Sequence, residues 1–335
     1  MDTPTISVII VNWDHGHLIQ DCLDALLAQE YPACEVLVVD NGSQDGSPEE
    51  IAAHYPTLHL QAFSQNLGFS RAFNWGVRHT EGSFILSLNP DTVVQDGFLQ
   101  EMLHAAGGHG EESVQIGIVA PKLRSASDPA ILDSTGLFVD RRRRPYDRGQ
   151  GEADKGQYDE QIPVFGACGA AALYRRSMLM DVVQDGEYFD ESFFAYYEDA
   201  DLAWRAQLRG WGCVYAPRAV ATHVRGSGDT LRKAGQARKG TRGPRLALRN
   251  RYLMTAKNDT WRHFLSDLPW ILAAELPRWA YAALTKPTVL LGLLDLARAL
   301  PSALAKRRQI QQSRLIDDRA IRRWFLSPKL LAGDS

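Results

Sequence analysis

The sequence predicts an α/β protein: a mostly parallel, doubly wound sheet followed by a helical C-terminal extension. Three features predict it. Short apolar, β-branched runs recur at ISVIIVNW (6–13), EVLVVD (35–40) and ILSL (85–88), and each reads as a buried strand. Segments with helical spacing alternate with these runs, the pattern of parallel strands joined by helical crossovers. The last stretch, 244–335, drops the strand pattern for a helical one rich in Leu, Ala and Arg.

The elements come in order along the chain. After the first strand, HLIQDCLDALLAQEY (17–31) sets Leu18, Cys22, Leu23, Leu26 and Leu27 on one helical face. The second strand runs into the turn-rich NGSQDGS (41–47). SRAFNWGVRHT (70–80) is helical, and the third strand then stops on Asn89-Pro90-Asp91. A carboxylate at the carboxyl end of a buried strand faces the crevice where α/β proteins hold ligands. Residues 124–160 are polar and glycine-rich, and read as a long loop or partly mobile flap. CVYAPRAVATHV (213–224) is a short strand ending at His223, and RGSGDTLRKAGQARKGTRG (225–243) is a flexible basic linker. Three regions are thus expected: a catalytic domain at 1–225, the linker at 226–243 and a helical region at 244–335.

With 335 residues, 45% hydrophobic and 23% charged, the chain has a sizeable core. The net charge of −3 hides an asymmetry: 226–335 hold 21 Lys and Arg against 8 Asp and Glu, and 1–225 hold 16 against 32. An acidic body with a basic tail points the tail at a polyanion such as a membrane surface or a nucleic acid. Cys22, Cys34, Cys168 and Cys213 form no CxxC pair, which fits a reducing compartment and offers no metal or disulfide framework. The N-terminus lacks the basic and apolar regions of a signal peptide, and no stretch approaches the roughly 18 uninterrupted apolar residues of a membrane span.

Chemistry collects at a few places. Asn12 and Asp40 end the first two strands. A carboxylate beside a Gly/Ser loop either accepts hydrogen bonds from a base or ribose, or caps its own turn. Neither GxGxxG nor GxxxxGK[ST] is present, which argues against a dinucleotide dehydrogenase and a P-loop enzyme. Asp91 suits a hard divalent cation, which takes one or two carboxylates plus substrate phosphates; a plain Asn-Pro turn is the alternative. In YEDADLAWRAQLRGWG (197–212), Glu198, Asp199 and Asp201 crowd a helix start, where the dipole favours negative charge. Three acids exceed what a cap needs, and the preceding FFAYY (193–197) makes a dry wall that raises a neighbouring carboxylate's pKa and makes it a better base. His223, just before a Gly/Ser-rich hinge, is either a site residue or a structural one.

Taken together, SVIIVNW, VVDNGSQDGS, NLGFSRAFNWGV, LSLNPDTVV, GACGAAALYRRSML, FDESFFAYYEDADLAWRAQLRGW and THVRGSG resemble, in order, the family 2 glycosyltransferases, and within them the bacterial rhamnosyltransferase-like branch. The resemblance covers about the first two thirds of the chain; RNRYLMTAKN and the rest of the helical tail match more loosely. It implies a GT-A fold and an inverting transfer from a nucleotide-sugar. Asp40 matches the acid that reads the base. Asn12, Asn66, Gly68 and Asn74 match the donor side, and Asn89-Pro90-Asp91 matches the DxD motif with Asn in its first position. Asp91 and His223 are then the metal residues for Mg²⁺ or Mn²⁺, and Asp199 the general base. The loop Gly166–Ala171, with Cys168 and Gly169, and the acids Glu198 and Asp201 fall on the acceptor side. The implied donor is dTDP-L-rhamnose, with UDP-hexoses as the alternative, and the acceptor a glycan or polyprenyl-linked hydroxyl in cell-surface polysaccharide assembly.

In the tail, Pro269, Pro277, Pro287 and Pro301 cut the pattern into short helices, and Leu290, Leu293, Leu294, Ala297, Leu300 and Leu304 share a face. An apolar face with aromatic residues and flanking arginines describes a helix lying in an anionic membrane interface, or equally a cap on the catalytic domain. The branch favours the membrane, and with it a cytoplasmic protein held peripherally on the inner face. A nucleic-acid-binding protein would explain the basic tail but not the acidic cluster, so no nucleic-acid partner is expected. A sugar nucleotidyltransferase would need a Gly-rich, Arg/Lys-containing N-terminal loop, and NWDHGHLIQ (12–20) stands there instead.

Overall fold

The computed structural model describes residues 5–31, 33–107, 115–224 and 241–326. Its first half is the expected parallel unit. Strands β1 (Ile6–Asn12), β2 (Cys34–Asp40), β3 (His59–Ala62) and β4 (Phe84–Leu88) lie in the order β3-β2-β1-β4, all parallel. Strand β1 is buried along its whole length because its side chains serve two cores. Ile6, Val8 and Ile10 point to one, with α1 (Gly16–Leu27), α2 (Ser47–His54) and α4 (Phe98–Gly107). Ile9 and Val11 point to the other, with Phe73 and Val77 of α3 (Phe69–Arg78). Gly76 permits that approach, since a Cβ there would sit 2.7 Å from Ile9 Cγ2. The buried stripe of α1 is Ile19, Cys22, Leu23 and Leu26; Leu27 is 48% exposed, so the face lies about one residue round from the expected one.

The second half makes the sheet mixed. Strand β10 (Ala171–Arg175) enters antiparallel between β4 and β6 (Ile116–Ser125), and β11 (Gly212–His223) runs parallel to β6 and antiparallel to β5 (Thr92–Val94). Residues 124–160 are not a loose flap. They hold the end of β6, β7 (Leu132–Ser134) paired to it, and a hairpin of β8 (Leu137–Val139) and β9 (Pro145–Asp147). Leu132, Leu137 and Phe138 are buried, and Arg148 stacks on Tyr158 and Tyr215. Alternation is hard to see here because each strand is three residues long and polar residues face the next layer.

The helical tail is no separate unit either. Helices α7 (Arg242–Asn258), α8 (Trp261–Thr285), α9 (Leu291–Ser313) and α10 (Asp318–Leu326) come after α5 (Arg176–Asp181) and α6 (Glu198–Leu208). Leu253, Met254, Ala303, Ile310, Trp324 and Phe325 join the core beside α3 and α6. Most of the expected linker, 226–240, lies outside the described residues, and its last positions, Arg242 and Gly243, already belong to α7. Pro269, Pro277 and Pro301 lie inside long helices rather than between short ones. Pro287–Ser313 is long and apolar enough, by length and composition, to cross a membrane, which the sequence count missed because Asp295 and Arg298 interrupt the run. In the fold, Asp295 pairs with Arg245 of α7.

Charge fixes the tail in place. Lys257 of α7 is fully buried, with its Nζ 2.8 Å from Asp201 and 2.6 Å from Asp190. Lys306 of α9 reaches the other Asp190 oxygen at 2.8 Å and Glu187 at 2.7 Å. Burial alone would raise the Asp190 pKa, but the two ammonium groups hold its carboxyl far below the usual range. Removing one partner of such a cluster strands buried charge, at about 3–5 kcal/mol. Lys257→Ala is therefore expected to lower unfolding free energy by about 3–5 kcal/mol in urea titration. A chain ending at residue 240 should not yield folded protein, rather than a soluble catalytic body; a folded, cooperative truncation would contradict this packing.

Candidate active site

Three structural units converge at the carboxyl ends of the parallel strands. The first is the Asn12–Asp40 pair. Parallel register sets the two side by side, and Asn12 Nδ2 donates to Asp40 Oδ2 at 2.8 Å and to Ser47 Oγ at 2.7 Å. Asp40 also accepts from the Gly42 and Ser43 amides at 3.1 and 3.0 Å and from Ser43 Oγ at 2.6 Å. Four donors fill a carboxylate's capacity, and Asp40 is 1% exposed. In this structure Asp40 is a buried turn builder. It shapes the 41–43 loop, where Gly42 is needed: its φ is +80°, and a Cβ would meet the Gln65 backbone at 2.5 Å.

The second unit is the Asp91 turn. Asn89 N donates to Ala170 O at 2.9 Å, and Thr92 Oγ1 donates to the same carbonyl at 3.3 Å. Asp91 is 7% exposed, and among the described residues no hydrogen bond meets its Oδ1. His223 Nε2 lies 3.5 Å from that oxygen, brought there because β11 pairs with β5 at His223 and Thr92. The other ring nitrogen, Nδ1, is 2.8 Å from Asp133 Oδ2. Burial alone would lower the His223 pKa; the hydrogen bonds and charges of Asp133 and Asp91 outweigh it and raise the pKa to about 9. Asp133 was not visible in the sequence as a site residue, because only the β6–β7 pairing carries it to β11.

The third unit is the acidic start of α6. Gly169 N donates to Asp199 Oδ2 at 2.9 Å, and Ala200 N to Oδ1 at 2.7 Å. A Cβ on Gly169 would sit 3.3 Å from that Oδ2. Gly169 and Ala170 are consecutive, so one loop holds the Asp91 turn with a carbonyl and Asp199 with an amide. Phe194, Tyr196 and Tyr197 have φ of 66°, 75° and 72°, a strained run for aromatic residues. Asn250 of α7, fully buried, holds it by donating to the carbonyls of Phe193, Ala195 and Tyr196 at 2.8–2.9 Å. Gly68 (φ +88°) lies under Phe194, where a Cβ would come within 2.6 Å of the ring. Burial, then the Asp199 charge, pushes Glu198 up to about 8; burial, reinforced by Asp147, pushes Asp199 up to about 6. At neutral pH the pair thus holds one proton, and the environments put it on Glu198. Asp199 is left as the carboxylate of the pair.

Residues 7–183 match the family described as Glycosyl transferase family 2, and residues 157–300 one described as Glycosyl transferase family group 2. This chain belongs to glycosyl transferase family 2. The glycosyltransferase is 28% identical to N-acetylglucosaminyl-diphospho-decaprenol L-rhamnosyltransferase of Mycobacterium tuberculosis over 250 residues, 66% of this chain and 76% of that one. Its fold is similar to that of S. aureus TarS 1-349 in complex with UDP-GlcNAc, with a TM-score of 0.58 at 18% identity over 92% of this chain and 87% of that one. It is also similar to the mannosyltransferase PcManGT from Pyrobaculum calidifontis in complex with GDP-Man and Mn²⁺, with a TM-score of 0.51 at 19% identity over 93% and 86% of the two chains. These likenesses establish the GT-A fold.

Within this glycosyltransferase, three more of the expected site residues make packing or clamping contacts in this structure. Asn74 is fully buried and clamps Phe189 with a donated bond of 2.7 Å and an accepted one of 2.8 Å. Asp201, also fully buried, accepts from Arg205, Lys257 and Asn258. Gly166 packs under Ala203, whose Cβ lies 2.6 Å from where its own would be. Asn66 and Asn89 are half-buried at the crevice, Asn66 Oδ1 accepting from Gly68 N at 2.8 Å, and Cys168 is half-buried in the Gly169 loop. One consequence is measurable without substrate. Folding raises Glu198 from its ordinary 4.5 to about 8, so the folded state holds the extra proton between those values and stability falls as pH rises through them. Glu198→Gln should raise the melting temperature relative to wild type near pH 8 and leave it unchanged near pH 4.

Proposed function

We propose that this enzyme transfers a sugar, L-rhamnose from dTDP-L-rhamnose, to a hydroxyl of a lipid-linked glycan by single displacement with inversion. The observation that carries the reading is the Gly169–Ala170 loop, which holds a poised base and the Asp91 turn side by side. Asp199 takes the acceptor proton as the oxygen bonds to the anomeric carbon and the bond to the diphosphate oxygen breaks. Glu198, protonated, spares Asp199 a second full negative charge beside it. The rhamnosyl donor is supported by the mycobacterial relative, whose name also specifies a diphospho-decaprenol acceptor.

The residues present fit a divalent cation. Asp91 offers an orphaned buried oxygen, and His223 a ring nitrogen 3.5 Å away whose far side is fixed by Asp133. Among the described residues no three such side chains gather, so the donor diphosphate and water complete the shell. Bound there, Mg²⁺ or Mn²⁺ neutralises charge on the leaving diphosphate. Asp133 fixes the orientation of the His223 ring, and a cation bound there would take the place of the proton that the two carboxylates otherwise hold on Nε2.

The class of donor is tested by a nucleotide-sugar panel with Mg²⁺ or Mn²⁺, scored for released nucleoside diphosphate with and without EDTA; metal-dependent release from dTDP-L-rhamnose is the expected result, and release from a different donor alone would overturn that sugar. Asp199→Asn should cut turnover by about 10²–10⁴ with nucleotide affinity retained, and wild-type activity should fall below about pH 6 as Asp199 protonates. Asp133→Asn should weaken metal-dependent nucleotide binding by about 10- to 100-fold in calorimetry while metal-free binding stays put.

The enzyme is placed by this reading at the inner face of a cell membrane. Leu276, Tyr281 and Leu284 of α8 and Leu294 of α9 are 56–86% exposed, apolar side chains that suit a membrane interface. The narrow buried stripe of α8 leaves its other faces outward.

A further inference from the structure

Helix α8 has two faces of opposite chemistry. His263, Asp267, Ile271 and Glu275 recur every fourth residue and are buried. Leu265, Pro269, Leu272, Leu276, Ala280 and Ala283 recur at spacings of three and four on the far side, and all are exposed. The three leucines of this stripe are 39–61% exposed. The helix has 25 residues, so the stripe follows an axis of roughly 37 Å.

The charges of α8 are sorted in the same way. Its two acids, Asp267 and Glu275, lie on the buried face. Asp267 is held by Arg141 at 2.5 Å and Arg143 at 3.0 Å, both from the β8–β9 turn. Glu275 is held by Arg251 Nη1 at 2.7 Å and by the Tyr252 hydroxyl, both from α7. The exposed charges of α8 and its C-cap are all cationic: Arg262 at the start, Arg278, and Lys286 at the end. Arg278 lies 3.7 Å from Glu275, which Arg251 already pairs. An apolar stripe with cations at both ends suits an anionic lipid surface, which takes up the stripe and the charges together. A second copy of the chain would bring the same cations to the contact.

The sequence set the membrane face at 290–304 instead. There Leu290, Leu293, Leu300 and Leu304 are half-buried, and Gly292 lies so close to α7 that a Cβ would come 2.7 Å from Arg245 O. Most of that face is spent inside the protein. A membrane-crossing arrangement of α8 or α9 would strand buried charge, since Lys306 of α9 pairs with Asp190 and Glu187, and Asp267 and Glu275 of α8 pair with arginines of other elements. Building on the membrane placement above, we propose that α8 lies in the plane of an anionic phospholipid surface, with Leu265, Leu272 and Leu276 at the acyl boundary and Arg262 and Lys286 among the phosphates. Because ion pairs tie α8 to the β8–β9 turn and to α7, the anchor is preformed and docks the catalytic body in one orientation.

The test is sedimentation of the full chain with vesicles of phosphatidylglycerol or of phosphatidylcholine. Wild type is expected to partition about 10-fold or more in favour of phosphatidylglycerol. Leu272→Glu combined with Leu276→Glu should weaken that binding about 100-fold, since two leucines no longer leave water. Arg262→Gln combined with Lys286→Gln should weaken it about 10- to 30-fold and leave phosphatidylcholine binding within about twofold. Leu294→Glu, on the exposed side of α9, should change neither. These variants alter exposed side chains, so melting temperature and nucleoside diphosphate affinity should match wild type. Wild-type binding by the leucine variant would overturn the assignment, as would equal binding of wild type to both lipids. A loss caused by Leu294→Glu alone would move the anchor to α9 and overturn it too. Self-association that the leucine variant abolishes, with no vesicle binding by wild type, would make the face a contact between copies instead. Nucleotide binding is read separately: a chain that binds nucleoside diphosphate but no vesicle keeps the transferase reading and loses the anchor, and the reverse result keeps the anchor and removes the donor site.

Discussion

The buried charge cluster around Lys257 governs the rest of the molecule. Its ammonium group joins Asp190, at the end of the segment before the catalytic helix, to Asp201, one turn inside that helix. Lys306, Arg205 and Asn258 complete it. Charges this deep are tolerated only when each finds its partners, so the cluster has one arrangement and tolerates little else. Because Asp201 is two residues from Asp199, the same arrangement sets where Asp199 points. The C-terminal helices are thus part of the active site's foundation.

The second constraint is the strained approach to α6. Three aromatic residues at positive φ cost of order 1–3 kcal/mol each, and Asn250 offsets this by satisfying three carbonyls that the irregular path leaves open. The strain turns the chain so that Glu198 and Asp199 enter a dry wall with different surroundings. Gly169 gives Asp199 an amide, whereas among the described residues no hydrogen bond meets Glu198 Oε2. Two adjacent carboxyl groups are separated into a proton holder and a base by those unequal environments.

A third theme is that residues of catalytic type do structural work and the reverse. Asp40 has the position of a ligand reader but spends its lone pairs on its own turn. Asp133 lies in a stretch that reads as loop, yet it fixes the His223 ring from the side away from Asp91. The Arg144 turn lies in the same stretch and rests on α8 through Arg143 and Arg141. What reads as surplus basic charge in RRRR (141–144) thus includes two anchors, Arg141 and Arg143, paired with Asp267 and Asp259 of the helical tail.

The sequence by itself determined the parallel half of the sheet, the strand ends at Asn12, Asp40 and Asp91, and the acid-rich start of α6. Local periodicity and turn chemistry specify these, because strands buried on two faces must be apolar throughout and must end on polar turns. It also carried the dry aromatic wall that raises Glu198 and Asp199. Only the tertiary structure decided that Asp201 and Asn74 are clamps, that Asp133 belongs with His223, and that the tail closes the core. Those outcomes rest on pairings across 56 to 117 residues, such as Lys257 with Asp201 and Trp324 with Gln207, and no local pattern encodes them. An acid at a helix start looks the same whether it meets water, substrate or a buried lysine; the burial and the partner decide which.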